Sequence, residues 1–329
     1  MAVDVSGLQA LVEQHVRDSD AEIGVLMKHM QSGTTVEMNA DELYLLASVF
    51  KVPILLEALA QVDEGRQGLD ERFELRRDDQ LPTSIILEHL DPGLKLTLRD
   101  LLTAMITVSD NTATDMVLAI VGLENVMARL TSWGLRDIAI HMSVQGLFDS
   151  AFMWPDSTET MPQLYRNIVA SGPLVDPFTG TIDKQFLTAM QRGSNWDAVT
   201  AQRTLENNVS SPRAIGELLE RLVRGELLSR ESTGVALDIM LRQQLNQRLP
   251  RFLPANVPIA HKTGIFYSSR NDAGILYLPD GGRVVVVSFS VLDGTLLASD
   301  PLQSVPYIDR VDSAMGRIAR SAFDTFAAL

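Results

Sequence analysis

The sequence of 329 residues predicts an α/β (α+β) protein, with an antiparallel sheet flanked by terminal helices and an inserted all-helical lobe. Three observations predict it: strand-like segments near both ends, one amphipathic helix at each end, and a long middle with helical periodicity. We therefore expect one domain over 1–329 with two lobes. The α/β lobe would comprise 1–40 and 255–329, and the helical lobe 41–254.

The amino-terminal part of the α/β lobe begins with a helix and continues with two strands. Side chains of the predicted helix recur at helical spacing at Leu8, Leu11, Val12, His15 and Val16. Two strands are predicted at 23–29 and 35–38, separated by a Gln-Ser-Gly turn. From 41 to 130 the pattern is largely helical.

The carboxyl-terminal part supplies three more strands and the closing helix. Segments 257–267, 273–278 and 283–291 are rich in β-forming residues, and a Pro-Asp-Gly-Gly turn joins the last two. The final helix is predicted at 308–326 from its apolar face. The simplest arrangement pairs strands from both ends of the chain in one sheet.

Composition and charge exclude several classes of partner. The chain carries 42 acidic and 28 basic residues, for a net charge of −14. Such a surface repels phosphate backbones and anionic lipids, so we expect no nucleic-acid partner. The sequence has no cysteine, which excludes disulfides, thiolate metal sites and cysteine nucleophiles.

The amino terminus and the hydropathy pattern bear on the compartment. No window approaches ~20 consecutive apolar residues, so we expect no membrane insertion. The first residues lack a basic start followed by an apolar core, so no signal peptide is visible and we expect a cytoplasmic protein. A periplasmic or secreted protein whose leader had been trimmed would have the same sequence. Oligomeric state is left open.

Ser48 and Lys51 lie in the apolar segment LLASVFKVPILL, where Lys51 is the one charged residue between Glu42 and Glu57. On a helix, residues i and i+3 share a face, so the hydroxyl and the amine can meet. An amine in an apolar pocket has a lowered pKa and can take the hydroxyl proton. The alternatives are a lysine whose amine reaches water, or a capping serine beside an unrelated lysine.

The tripeptide Ser109-Asp110-Asn111 lies between two helical runs, where side chains can project into a cleft. Ser, Asp and Asn are also the preferred residues before a helix, so the tripeptide taken alone is better explained by helix capping.

Lys262-Thr263-Gly264 lies in a predicted strand. A glycine there lets another backbone or a ligand approach closely, and the lysine and threonine together can bind an anionic group. The alternative is an exposed edge strand protected by its lysine.

Together, S-x-x-K, S-D-N and K-T-G resemble the active-site signature of class A β-lactamases and penicillin-binding proteins. Ser48 and Ser109 are 109 − 48 = 61 positions apart, close to the spacing in class A β-lactamases. The early strand pair, the hairpin after K-T-G and the closing helix are also similar to that family, over about 8–140 and 205–326. The resemblance implies a β-lactamase-like fold with its active site between the lobes.

The resemblance also implies catalytic roles. Ser48 would attack a carbonyl, with Lys51 as its base. Ser109 would pass a proton to the leaving nitrogen, aided electrostatically by Lys262. The oxyanion would be held by the backbone N–H groups of Ser48 and Ile265.

Substrate-binding roles follow from the same resemblance. Asn111 would hydrogen-bond an amide side chain of the substrate. Thr263 and Gly264 of the K-T-G strand would line the site, where Thr263 and Lys262 would bind a substrate carboxylate. Arg270 would assist them, or would be a loop charge facing water. No cofactor is implied, and the five histidines have no metal-ligand spacing, so we expect no metal site.

The sequence departs from the family in the region after S-D-N. Class A β-lactamases carry there a glutamate and, four residues on, an asparagine, which together position the deacylating water. This chain has no such pair, and a longer segment at about 141–203 takes its place. Its acidic residues are the candidate replacements for the base: Asp149, Asp156, Glu159, Asp176, Asp183 and Asp197.

Three functions fit these residues. The first is a serine acyl-enzyme hydrolase that cleaves a small-molecule amide, either a β-lactam or a peptide-like substrate. The second is a peptidase or esterase on the same scaffold. The third is a penicillin-binding module that is acylated but turns over slowly.

Overall fold

A computed structural model describes residues 5–81, 83–151, 203–266, 268–297 and 300–327. Most of the predicted insert therefore lies outside the described residues, together with five of its six acidic candidates. Asp149 is the member of that set that the structure describes.

The central feature is a five-stranded antiparallel sheet with strand order β2-β1-β10-β9-β8. The described strands are β1 (Glu22–His29), β2 (Thr35–Met38), β3 (Tyr44–Leu45), β4 (Arg72–Glu74), β5 (Lys95–Thr97), β6 (Ile138–Ala139), β7 (Val209–Ser210), β8 (Ile259–Phe266), β9 (Ser269–Tyr277) and β10 (Arg283–Val291). Strands from the two ends of the chain pair directly, since Glu22 lies opposite Val291 and His29 opposite Val284. The shared sheet was expected from the sequence, and β9 begins four residues earlier than predicted.

Helices cover both faces of this sheet. The described helices are α1 (Ser6–Arg17), α2 (Lys51–Asp63), α3 (Leu98–Thr107), α4 (Asn111–Val121), α5 (Leu123–Ser132), α6 (Val144–Ala151), α7 (Pro212–Val223), α8 (Arg230–Leu241), α9 (Gly294–Leu297) and α10 (Pro301–Phe326). Helices α1 and α10 pack on one face through buried residues such as Val12 and Ile318. Helix α7 packs on the other face, although it lies within 41–254, the segment predicted as the helical lobe. That segment also contains the short strands β3 to β7, so it is largely but not entirely helical.

Helix α10 is longer than its apolar pattern predicts. It begins at Pro301 rather than near residue 308, and Asp300 caps it through the backbone N–H of Leu302. Its first turns carry exposed Leu302 and Val305, so no apolar stripe marked them in the sequence. None of the helices in the described part of the chain is long and apolar enough to cross a membrane.

Helix α2 is the centre of the helical lobe. Its residues from Lys51 to Gln61 are all buried, and it packs against α3, α4, α5 and α8. A helix surrounded by other helices needs apolar residues on every side, which explains the uninterrupted apolar run in the sequence. Pro53 is tolerated because it lies in the first turn, where the backbone N–H has no partner within the helix.

The junction of the two lobes lies at the start of α2. A short 3-10 turn, Ala47–Phe50, precedes α2 and packs against β8 and β9 of the sheet. The start of the central helix is thereby held beside the edge strand β8.

Candidate active site

Ser48 lies in the 3-10 turn, half-buried, beside the sheet. The preceding residue, Ala47, has a φ of +45°, a conformation that is costly for a residue with a Cβ. The surrounding structure holds this turn in place, since the Asn271 side chain donates to the carbonyl oxygens of Leu45 (2.6 Å) and Leu46 (3.2 Å). The serine is therefore presented on a strained turn that the sheet supports.

Lys51 is fully buried, so the alternative in which its amine reaches water is wrong. Its Nζ donates to three acceptors: the Ser109 carbonyl oxygen (2.7 Å), the Ser109 hydroxyl (3.2 Å) and the Asn111 Oδ1 (2.8 Å). Burial lowers the pKa of Lys51 to about 7, against the opposing effect of the Asp110 and Asp115 carboxylates. Near neutral pH the amine therefore exists in both protonation states.

Ser109 joins two buried amines. Its hydroxyl lies 3.2 Å from the Lys51 Nζ and 3.0 Å from the Lys262 Nζ. Ser109 has a φ of +63°, in the connection between α3 and α4. This turn points the Ser109 carbonyl and hydroxyl at the same lysine.

Asp110 and Asn111 make different sets of hydrogen bonds. Asp110 caps α4 by accepting from the backbone N–H of Ala113 (2.9 Å), as capping chemistry predicts. Its other oxygen accepts from the backbone of Ile86 and Leu87. The Asn111 amide accepts from Lys51 and donates to the hydroxyl of Thr83 (2.9 Å) in the segment between β4 and β5.

Lys262 lies on the edge strand β8 and is nevertheless fully buried, so the alternative of an exposed, protective lysine is wrong. The 3-10 turn and α8 cover this edge. Its Nζ donates to the Ser109 hydroxyl and to the Thr263 carbonyl (2.9 Å). Burial, followed by repulsion from Lys51, holds the pKa of Lys262 well below its usual range, while Asp272 opposes the shift.

The residues after Lys262 differ in exposure. Thr263 is almost fully buried, whereas Ile265 is half exposed. Gly264 lies against the serine turn: a Cβ built there would be 2.8 Å from the Leu46 carbonyl oxygen and 3.2 Å from the Ser48 nitrogen. The close backbone approach expected for this glycine is therefore present.

Arg270 has its backbone next to a predicted site residue, but its guanidinium is bound elsewhere. It stands opposite Ile265 in the sheet register, and its guanidinium binds both oxygens of Asp312 in α10 at 2.8 and 2.7 Å. Asp312 also accepts from the buried Arg248 (3.0 Å). The guanidinium is therefore held in an ion pair with α10, and its role as a carboxylate clamp stays a prediction.

Chemically, the site combines a hydroxyl on a supported turn, an amine with a near-neutral pKa, a second hydroxyl and a second buried amine. Lys51, Ser109, Asn111 and Lys262 come from three separate parts of the chain and are joined by hydrogen bonds. Such a network can move protons among its members, and it lies beside the turn that carries Ser48. In the described part of the chain, the hydrogen bonds of Lys51 do not include one to the Ser48 hydroxyl. Within the described ranges, no three His, Asp or Glu side chains are grouped so as to hold a metal ion.

Asp115 is a site residue that the sequence reasoning missed. It lies on α4 one turn after Asn111, and its oxygens accept from the backbone N–H groups of Val144 (2.8 Å) and Gln145 (2.9 Å). Burial raises the pKa of this carboxyl, and Lys51 opposes the rise. The helical spacing from S-D-N was the available signal, because residues four apart on a helix share a face.

Comparison with protein-family models identifies the family of the chain. The model described as the beta-lactamase enzyme family matches residues 6–326. The chain belongs to the beta-lactamase enzyme family. This membership confirms the resemblance that the three motifs indicated, and it places the chain among hydrolases at the level of the family.

Individual proteins are similar to this beta-lactamase family member over most of its length. The beta-lactamase VEB-1 of Pseudomonas aeruginosa is 24% identical over 290 residues, which is 84% of this chain and 80% of that protein. A beta-lactamase of Amycolatopsis lactamdurans is 27% identical over 272 residues, 81% of this chain and 72% of that protein.

Solved structures agree with the fold. The crystal structure of a beta-lactamase from Sphaerobacter thermophilus DSM 20745 is 25% identical, with a TM-score of 0.72 over 99% of both chains. A point mutant of PBP-A, solved as an acyl-enzyme complex with penicillin G, is 25% identical, with a TM-score of 0.70 over 99% of this chain and 98% of that one. The predicted β-lactamase-like fold is confirmed.

Proposed function

We propose that this beta-lactamase family member is a serine hydrolase that opens β-lactam amides through an acyl-enzyme on Ser48. The observation that carries the proposal is the hydrogen-bonded set of Lys51, Ser109 and Lys262 at the start of α2, beside the Ser48 turn. A buried amine with a pKa of about 7 is a suitable acceptor for a serine proton at neutral pH.

In the acylation step, the Ser48 oxygen forms a bond to the carbonyl carbon while its proton passes to the neutral Lys51 amine. The carbonyl oxygen becomes an oxyanion, held by the backbone N–H groups of Ser48 and Ile265. When the carbon–nitrogen bond breaks, the leaving nitrogen takes the Ser109 hydroxyl proton. Lys51 then returns a proton to Ser109, so that both residues regain their starting states.

The hydrogen-bond pattern around Lys51 is compatible with both of its protonation states. As an ammonium it donates to the Ser109 carbonyl, the Ser109 hydroxyl and Asn111. As a neutral amine it has two donors, for the Ser109 carbonyl and Asn111, and one lone pair, which takes the Ser48 proton in acylation. The buried Lys262 would then donate to the Ser109 oxygen and assist loss of its proton.

For substrate binding, we assign Asn111 to an amide side chain and the K-T-G strand to a substrate carboxylate. Lys262 and Thr263 supply an amine and a hydroxyl as hydrogen-bond donors for that carboxylate. Arg270 joins them only if it leaves Asp312, since its guanidinium is bound to that carboxylate.

A second candidate function is slow turnover, in which Ser48 is acylated and stays acylated. It is favoured by the absence of the Glu-x-x-x-Asn pair from the sequence. PBP-A, a point mutant of which was captured as an acyl-enzyme with penicillin G, is among the similar structures. A peptidase or esterase activity on the same scaffold is the remaining alternative.

One experiment separates these functions. The protein is mixed with a chromogenic cephalosporin while absorbance and intact mass are followed, with Ser48→Ala as the control. Repeated turnover supports hydrolysis, and a long-lived adduct on Ser48 supports slow deacylation. If neither turnover nor an adduct is seen, but small esters or D-amino-acid amides are cleaved, the peptidase or esterase function is supported. Reaction of Ser48→Ala at the wild-type rate would refute the acyl-enzyme mechanism.

A further inference from the structure

Asp115 lies on the helix that contacts Lys51 and binds the start of a neighbouring helix. It lies on α4 four residues after Asn111, and therefore on the same face of that helix. Asn111 accepts a hydrogen bond from Lys51 at 2.8 Å. The carboxylate of Asp115 consequently lies on the face of α4 that is turned toward Lys51.

The same carboxylate holds the start of α6. Both of its oxygens are used, one by the backbone N–H of Val144 and the other by that of Gln145. These N–H groups belong to the first turn of α6 and have no partner within the helix, and a negative charge is favoured there. An aspartate normally caps its own helix, whereas this one caps a helix from outside.

The segment that leads into α6 is fixed at a second point. Asn208 accepts from the backbone N–H groups of His141 (2.8 Å) and Met142 (2.9 Å) and donates to the Met142 carbonyl oxygen. Asn208 holds the chain just before α6, and Asp115 holds its first turn. Of the two, only Asp115 carries a charge.

The charged groups that act on Lys51 are few. Asp110 and Asp115 favour its protonated form, and Lys262 lies on the other side of Ser109. Asp110 is committed to three backbone N–H groups, of Ala113, Ile86 and Leu87. Removing Asp110 would disrupt α4 and the segment between β4 and β5, so Asp115 is the carboxylate whose charge can be tested with less damage.

We propose that Asp115 is a positioning residue, which fixes the first turn of α6 beside the site and places a negative charge on the face of α4 turned toward Lys51, where it favours the protonated amine. The proposal rests on the proposed function only in calling Lys51 the base. The effect on the charge of Lys51 and the effect on α6 can each be measured without substrate.

The test compares Asp115→Asn with Asp63→Asn. Asp63 is a matched control because it too caps a helix from outside, accepting from the Ser229 backbone N–H (2.8 Å) at the start of α8. It lies at the far end of α2, 63 − 51 = 12 residues from Lys51, or roughly 18 Å. Both variants lose a charge at a helix start, but only Asp115→Asn loses it near Lys51.

The first readout is the titration of Lys51 by NMR of lysines labelled at Cε. The chain has five lysines to assign: Lys28, Lys51, Lys95, Lys184 and Lys262. A carboxylate favours the protonated amine, so Asp115→Asn should move the Lys51 midpoint down by roughly one pH unit, and Asp63→Asn should leave it in place. Asp115→Ser is a second neutral variant with the same expected shift. An unchanged midpoint in either folded variant overturns the electrostatic part.

The second readout is hydrogen exchange of the Val144 and Gln145 amides. They should exchange at least about tenfold faster in Asp115→Asn, whereas Asp63→Asn should speed exchange at Ser229 instead. Wild-type exchange at Val144 and Gln145 in Asp115→Asn overturns the positioning part. If wild-type protein forms no Ser48 adduct, the proposed function fails, but these two readouts still decide the role of Asp115.

Discussion

The backbone of Gly264 packs against the turn that carries Ser48, so closely that a Cβ at position 264 would lie 3.2 Å from the Ser48 nitrogen. The same Cβ would lie 2.8 Å from the Leu46 carbonyl oxygen, a distance that backbone atoms cannot accept without moving. The glycine of K-T-G is therefore required by the packing of strand β8 on the serine turn.

Gly264→Ala should push β8 away from the serine turn and slow acylation of Ser48 at least about tenfold, because small misplacements at a reacting centre are costly. The measurement is the rate of adduct formation by intact mass. Gly234→Ala in α8 is the matched control, since nothing lies within 4 Å of its added Cβ. It should leave the rate unchanged and stabilise the helix by up to about 1 kcal/mol. Equal rates in the two variants would contradict this account of Gly264.

Acylation should depend on pH through Lys51. The amine accepts the Ser48 proton only when neutral, so the rate should fall as pH drops below the Lys51 pKa of about 7, by roughly tenfold per pH unit. Stopped-flow rates from pH 5 to 9 measure this. Lys51→Arg should be inactive throughout, because a guanidinium stays protonated. An acid limb well away from pH 7 would remove Lys51 from the role of base.

The lowered pKa of Lys51 should also appear in the stability of the fold. An unfolded lysine has its ordinary pKa. Between about pH 7 and pH 10.5, the unfolded chain therefore holds a proton on Lys51 that the folded chain has lost. Through Lys51, the free energy of unfolding should therefore rise with pH in this window. Denaturant titrations at several pH values should show a smaller rise for Lys51→Met. If the free energy of unfolding rose with pH by the same amount in both proteins, that result would contradict a lowered pKa of Lys51 in the folded state.

Ser109 should be needed for its hydroxyl and should be strained in its backbone. Ser109→Ala and Ser109→Gly both lose the hydroxyl that the two lysines share, so both should slow acylation by about 10²–10⁴-fold. At a φ of +63° glycine avoids the Cβ penalty, so Ser109→Gly should be the more stable variant by about 1 kcal/mol. Thermal unfolding measures the difference, and equal stability would argue against strain at this residue.

Arg270 should matter more for stability than for substrate choice. Asp312→Ala would leave the buried Arg248 and the paired Arg270 without their carboxylate, at a cost of about 3–5 kcal/mol of unfolding free energy. Arg270→Ala should cost less, because Asp312 keeps Arg248. Its effect on KM should be the same for substrates with and without a carboxylate. A selective rise in KM for carboxylate substrates would instead restore Arg270 as the clamp.

Much of the fold could be predicted because the relevant signals are local. The residues of β2 alternate between polar and apolar, those of β10 are mostly apolar, and turn residues mark the ends of these segments. Both strands have the predicted bounds. The start of α10 could not be predicted, because exposed Leu302 and Val305 precede the apolar stripe. A helix whose first turns face solvent has no hydrophobic periodicity to mark them.

The sequence by itself determined the three motifs, their order and the family to which they point. Only the tertiary structure decided which groups meet: Lys51 binds Ser109 and Asn111, Arg270 binds Asp312, and Asp115 reaches α6. The physical reason is that a motif fixes residue type and local spacing, whereas pairing depends on the burial and direction of side chains on separate elements. Two lysines 211 positions apart (262 − 51) share one serine hydroxyl, since α2 and β8 both pack against the 3-10 turn Ala47–Phe50 and so bring their lysines to the same place.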